Sequence, residues 1–186
     1  LLLAGLPPPV GGIAAFTEHL LAHAASVTQV TIDLVDCTVR WRRPTQLSLW
    51  ARWTGGPVHA LAILRQVVAR VRTARPDVAH ICSAGGLGLL RDWVVIALLQ
   101  WCRIPSVFWT ANDLLPGLIA RGGPAAWLAR AVLRRARAVV VLDARTQAAL
   151  AAVTPRPVVC IPVFIRPEAI RAEVGAAAPR TDLVYA

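Results

Sequence analysis

The chain has 186 residues, 56% of them hydrophobic, and 20 basic against 10 acidic side chains give a formal charge of +10. That length holds one domain with a core, or one domain and part of a second. The longest apolar block, Trp93 to Leu99, falls far short of the ~20 residues a membrane-spanning helix needs, and the chain opens on Leu-Leu-Leu-Ala-Gly without an initiator Met or a basic signal-peptide stretch, as a fragment beginning inside a first strand would.

Leu1–Ala4 reads as the end of that strand, and residues 5–12, Gly-Leu-Pro-Pro-Pro-Val-Gly-Gly, as a loop. Ile13, Phe16, Leu20 and Leu21 have the spacing of an amphipathic helix over 13–24. Val27, Val30, Ile32 and Leu34 predict a strand over 27–35. Residues 38–57 break the rhythm, interleaving Arg40, Arg42, Arg43 and Arg52 with Trp41, Trp50 and Trp53. A helix is then expected from Val58 to Ala74, a strand from Val78 to Cys82, a glycine loop over 83–88 and a helix from Leu89 to Cys102. The remaining expectations are a strand over 106–110, a helix over 124–137, a strand over 138–142, a helix over 144–153 and a short strand over 158–161. Beyond Pro162 the texture turns to Arg, Glu, Ala and Pro, and Thr181–Ala186 reads as a further strand. The domain division expected is therefore 1–162, followed at 163–186 by a linker and the first strand of a second domain. Strands alternating with helices at this spacing define the α/β class, with a Rossmann-like, doubly wound parallel sheet covered on both faces.

All twenty basic residues are arginine. Their excess favours polyanionic partners: nucleic acid, anionic lipid or phosphorylated substrates. Cys37, Cys82, Cys102 and Cys160 have no CxxC spacing, which fits a reducing cytoplasm. His19, His23, His59 and His80 are scattered over helices and a strand, so neither a metal cluster nor a Cys-His or Ser-His-Asp site is indicated.

Four places could carry chemistry. Gly11-Gly12 stands between a strand and a helix, where backbone N–H groups face anions, but it lacks the G-x-G-x-x-G spacing of a dinucleotide site. The 83–88 loop fails the same fingerprint, and the adjacent Arg91-Asp92 reads as a solvated surface pair. The turn after the 106–110 strand holds Asn112, the chain's only Asn, beside Asp113. Ligands collect outside the carboxyl ends of such strands, although Asn and Asp also cap helices. The Arg/Trp stretch is open to three readings: a nucleic-acid groove, a membrane surface, or a flap packed on the domain.

Taken together, these segments resemble the amino-terminal domain of GT-B glycosyltransferases of the retaining family 4 group. Gly11-Gly12-Ile13-Ala14 resembles the family's Gly-Gly loop, and Arg75-Pro76-Asp77-Val78-Ala79-His80 its "PDVVH" entry. Val107 to Pro116 resembles "V-x-T-x-H-D-L-x-P". Ala136 to Leu142 and Val158 to Pro162 resemble its paired "AD-x-V-x-x-x-S" and "V-x-V-I-P-N-G" strands. The likeness covers nearly the whole chain, carried by the order and spacing of motifs that are weak singly.

The resemblance implies a hexosyltransferase-like enzyme of cell-envelope polysaccharide or glycolipid synthesis. It would move a sugar from a nucleotide-sugar donor to a lipid-linked or saccharide acceptor, with retention and without a metal or resident cofactor. Gly11 and Gly12 would approach the donor diphosphate, and Ser83, Gly85, Thr110 and Asp113 would line the acceptor cleft. Asn112 would position substrate, since it replaces the family's His and a carboxamide cannot exchange a proton near neutral pH. Asp143 stands where Ser is usual, and Val163-Phe164 replace Asn-Gly. The nucleotide and a paired-glutamate motif would belong to a second domain, so the fragment alone is expected to be inactive. Because acceptors of the family are often lipid-linked, Arg40, Trp41, Arg42, Arg43, Trp50, Arg52 and Trp53 are expected to face an anionic membrane. No nucleic acid is expected, and the location would be cytoplasmic or peripheral at the inner face of the membrane. A Rossmann-type nucleotide-binding enzyme and a non-catalytic or degenerate α/β binding module remain as alternatives.

Overall fold

A computed structural model describes residues 1–8, 12–27, 29–39, 49–83, 85–86, 88–111 and 113–162, with residues 49–54 described by their backbone alone. Gly11, Asn112, the segment from Arg40 through Trp41, Arg42 and Arg43 to residue 48, and all of 163–186 lie outside the described residues. The expectations placed on them, including the second-domain strand, concern residues outside that set.

Six short strands, each rich in apolar residues, pair in parallel in the order β2-β1-β3-β4-β5-β6. They are β1 (Leu2–Ala4), β2 (Leu34–Asp36), β3 (Ala79–Ser83), β4 (Ser106–Thr110), β5 (Ala138–Val141) and β6 (Val158–Cys160). Register aligns Val35, Leu3, Ile81, Phe108, Val139 and Val158 in one row across the sheet. Because side chains alternate along a strand, the next row, Cys82, Trp109, Val140 and Val159, points to the other face.

Among the described residues six helices connect the strands: α1 (Gly12–Ser26), α2 (Leu49–Thr73), α3 (Gly88–Trp101), α4 (Leu114–Arg121), α5 (Gly123–Arg135) and α6 (Ala144–Ala151). A right-handed crossover decides which face each one covers. From β1 to β2 the chain moves one way across the sheet. Every later crossover moves the other way, so α1 lies on one face and α2 to α6 on the opposite face. The two cores agree. One gathers Leu3, Ile81 and Phe108 with Ile63 and Val67 of α2, Val95 and Leu99 of α3, Ile119 of α4, Val132 of α5 and Leu150 of α6. The other gathers Leu2, Ala4, Cys82 and Trp109 under Ile13, Phe16, Leu20 and Leu21 of α1. This is the expected doubly wound α/β fold. Its strand order reverses between β1 and β3, as in the 2-1-3-4-5 variant of that architecture.

Three local expectations are corrected. The strand predicted over 27–35 is only Leu34–Asp36, because Val27 and Val30 close turns onto Ala24 and Val27 and Val30 stays exposed. The helix predicted from Val58 begins at Leu49 and runs through Gly55, Gly56 and Pro57, so Trp50, Arg52 and Trp53 stand on helical backbone. A helix not predicted, α4, fills 114–121. Its Pro116 sits in the first turn, where a missing N–H costs little.

Candidate functional site

All six strands run the same way, so the loops that follow them share one edge, the edge where open α/β sheets bind ligands. The β1 and β2 loops are tied together there. Leu6 N–H donates to the Thr38 hydroxyl at 2.6 Å, and that hydroxyl and Thr38 N–H reach Asp36 Oδ1 at 2.5 and 2.8 Å. The Phe16 ring lies 4.5 Å, centroid to centroid, from Trp109 of β4. Gly12 is four residues earlier, about one helical turn of ~5.4 Å, so the amino end of α1 overhangs the carboxyl end of β4.

Gly12 is exposed, its φ is not positive, and a Cβ built on it would meet nothing within 4 Å. Neither backbone angle nor packing within the protein demands glycine there, and glycine lowers helix stability. Among the described residues, the space beside Gly12 is open. Gly85 and Gly86 differ: φ values of 75° and 61° place both in the left-handed region, and the turn itself requires glycine.

Ser83 is fully buried and its hydroxyl is committed. It donates to Asp92 Oδ2 at 2.5 Å and accepts from Gly85 N–H at 3.1 Å. Ser83 thus holds the loop after β3 from beneath. Thr110 is buried beside it in register, and Ala111 N–H donates to Ser83 O at 3.3 Å. Asp113 is exposed. It holds the N-cap position of α4 without a side-chain capping hydrogen bond. The helix-cap reading therefore fails for Asp113, whereas Asp143 does cap: it accepts from Thr146 N–H at 2.8 Å, and that bond holds its carboxyl below the usual range. Of the predicted site residues, Gly12, Gly85 and Asp113 offer surface at the edge, and Ser83 and Thr110 support it.

The largest departure from the sequence reading is Arg91-Asp92. Asp92 is fully buried. Its Oδ1 accepts from Arg91 Nε at 2.9 Å and Nη2 at 2.6 Å, while Oδ2 accepts from the Ser83 hydroxyl. Burial pushes the Asp92 carboxyl up, against the pull of Arg91 and Ser83, and leaves it above the ordinary carboxylate value. Burial also works against the Arg91 charge, but Asp92 outweighs it and holds the guanidinium above its ordinary pKa. Arginine does not shed its proton, so Arg91 stays a cation. A signal for this was present: Leu89, Asp92, Val95, Ile96 and Leu99 share helical spacing, which puts Asp92 on the core stripe of α3.

The four cysteines are free. Burial raises Cys37 to about 11 and Cys82 to about 12, so neither is a nucleophile at neutral pH. Among the described residues no cluster of three His, Cys, Asp or Glu side chains could hold a metal. No described helix is long and apolar enough to cross a membrane. A groove of about 390 Å³ runs along the outer side of α2, lined by Leu61, Leu64, Arg65, Val68, Ala69 and Arg72, away from the carboxyl edge. Comparison with protein-family models and with curated proteins finds no match for the chain.

Proposed function

We propose that the chain is the acceptor-side domain of a GT-B-type retaining glycosyltransferase, which transfers a sugar from a nucleotide-sugar donor to a lipid-linked or saccharide acceptor. A doubly wound fold hosts many activities, so the reading stands on the site. Gly12 carries it: a glycine that the protein's own geometry does not require, at the amino end of a 15-residue helix on the ligand-binding edge. A diphosphate seated there gains from the helix dipole and from close backbone approach. Across the edge, the uncapped Asp113 carboxylate is a hydrogen-bond acceptor for a hydroxyl of the acceptor. Asn112 next to it would orient substrate, and proton transfer would fall to other groups. The missing G-x-G-x-x-G spacing stands against the Rossmann-type oxidoreductase alternative.

The same reading puts the protein at the inner face of a membrane. From Thr38 to Ala74 there is no Asp or Glu. On the outer side of α2, Val58, Leu61, Arg65 and Arg72 are exposed, which extends the character of the Arg/Trp stretch along the helix. Arginines flanking apolar side chains suit an anionic lipid headgroup layer.

The test is Gly12→Val in the full-length protein. A side chain there meets only a bound ligand, so the variant should keep wild-type thermal stability while kcat/KM for the donor falls at least about tenfold, or roughly 1.4 kcal/mol. Unchanged donor kinetics in a folded Gly12→Val protein would contradict the assignment.

A further inference from the structure

We propose that Arg91 is an anion-binding residue of the carboxyl edge and that its ligand is a phosphate ester or diphosphate. Five observations place the charge where such a group would dock.

Arg91 is the fourth residue of α3, the helix that opens directly from the glycine loop after β3. That strand is one of the two flanking the point where strand order reverses, the crevice in which doubly wound sheets hold ligands. The guanidinium is fixed along one edge, because Nε and Nη2 both donate to Asp92 Oδ1. Among the described residues Nη1 has no partner, and a guanidinium anchored in this way presents its remaining donors in a set direction.

Access is unequal within the pair. The Arg91 side chain keeps 15% of its exposure and Asp92 1%, so an incoming ligand meets the cation and not the carboxylate. Asp92, the next residue of the helix, takes the Nε and Nη2 edge of the guanidinium; no acidic residue stands in the first turn of α3, and the thiol of nearby Cys37 is neutral at pH 7. A Cβ on Gly88 would come within 4.0 Å of Arg91 Nη2, so the cation lies beside the amino end of α3, whose dipole favours an anion as well.

A buried ion pair contributes little net stability compared with apolar packing. Its place at the ligand-binding edge is better explained by Asp92 and Ser83 acting as positioning residues that aim a charge. The planar fork of arginine matches phosphate oxygens. This inference rests on the fold and the ion pair, and not on the sugar-transfer reading. A phosphate on a lipid acceptor and a diphosphate on a soluble nucleotide would meet the same guanidinium.

The experiment follows the Arg91 Nε–H resonance, assigned through bonds, in 15N-arginine-labelled protein. The probes are inorganic pyrophosphate, phosphatidylglycerol vesicles and, as a control, phosphatidylcholine vesicles. A saturable shift of the Arg91 signal with pyrophosphate, and calorimetric affinity at least tenfold weaker in Arg91→Lys, is the expected result. Lysine keeps the charge opposite Asp92 but loses the fork. A shift with phosphatidylglycerol vesicles and none with pyrophosphate would also support the site and name lipid phosphate as its source. An Arg91 signal that stays still with both anionic probes overturns the proposal, as does equal pyrophosphate affinity in a folded Arg91→Lys protein. The wild-type resonance decides alone if that variant does not fold. Pyrophosphate binding through Arg91 without any sugar transfer would leave this site standing and remove the transferase reading.

Discussion

Two ionisable residues, Asp92 buried and His80 half-buried, set how this protein responds to mutation and pH. Removing the Asp92 carboxylate strands the Arg91 cation in a shielded place and frees the Ser83 hydroxyl from its partner. Asp92→Ala should therefore cost about 3–5 kcal/mol, the range for breaking a buried pair by removing one partner. Urea unfolding measures it, and a loss under about 1 kcal/mol would mean the pair is solvated, as surface pairs are. His80 acts with pH. Burial lowers its pKa from the ordinary 6.5, and its Nε2 has no hydrogen-bond partner among the described residues. Between the lowered folded value and 6.5 the unfolded chain binds more protons, so stability rises with pH across that window and falls on acidification. Thermal midpoints of the wild type should drop more steeply than those of His80→Gln as pH is taken from about 7 to 5; parallel profiles would show that His80 does not contribute. The sequence placed His80 in a strand and Asp92 at the surface. Only the first survives, because adjacent charges read as solvated until the helical phase of their neighbours is weighed.

The regular elements were legible wherever apolar periodicity was unbroken. The 106–110 strand matches its expected bounds, and α1, α3, α5 and α6 lie within a few residues of theirs. The misses share a physical cause. Gly55, Gly56 and Pro57 disfavour helix in isolation, yet α2 runs through them, with Ile63 and Val67 further along buried against the sheet. Tertiary packing here outweighs local propensity. In α4 the first-turn Pro116 and the following Gly117 obscured the Leu115 and Ile119 stripe. Element α2 also carries the membrane expectation. The wild-type protein should co-sediment with phosphatidylglycerol vesicles, pass over phosphatidylcholine, and lose several-fold in bound fraction on Trp50→Ala with Trp53→Ala. Equal binding to both vesicle types, or no effect of the substitutions, would contradict a lipid-facing role.

At the scale of the whole molecule, one chirality rule accounts for the layout. Among the described residues, right-handed crossovers leave α1 alone on one face and gather five helices on the other. Among the described residues α1 covers the β1, β3 and β4 part of its face, and Val159 and Ile161 at the β6 margin remain exposed. The alternation of strands and helices made the class legible. The strand order was not, because nothing local says whether a third strand docks outside β2 or beside β1. The sequence reading pointed to Gly12, Gly85 and Asp113, which stand in segments that follow β1, β3 and β4. The inner support of the carboxyl edge, Ser83 on Asp92 on Arg91, required the three-dimensional arrangement. What such an edge holds is settled by chemistry. The full-length protein would be incubated with radiolabelled nucleotide sugars and with lipid and saccharide acceptors, with and without a chelator. The account predicts labelled product from one donor class, with the anomeric configuration retained and the yield unchanged by the chelator. Folded protein that consumes no donor across the panel, or a product of inverted configuration, would contradict it.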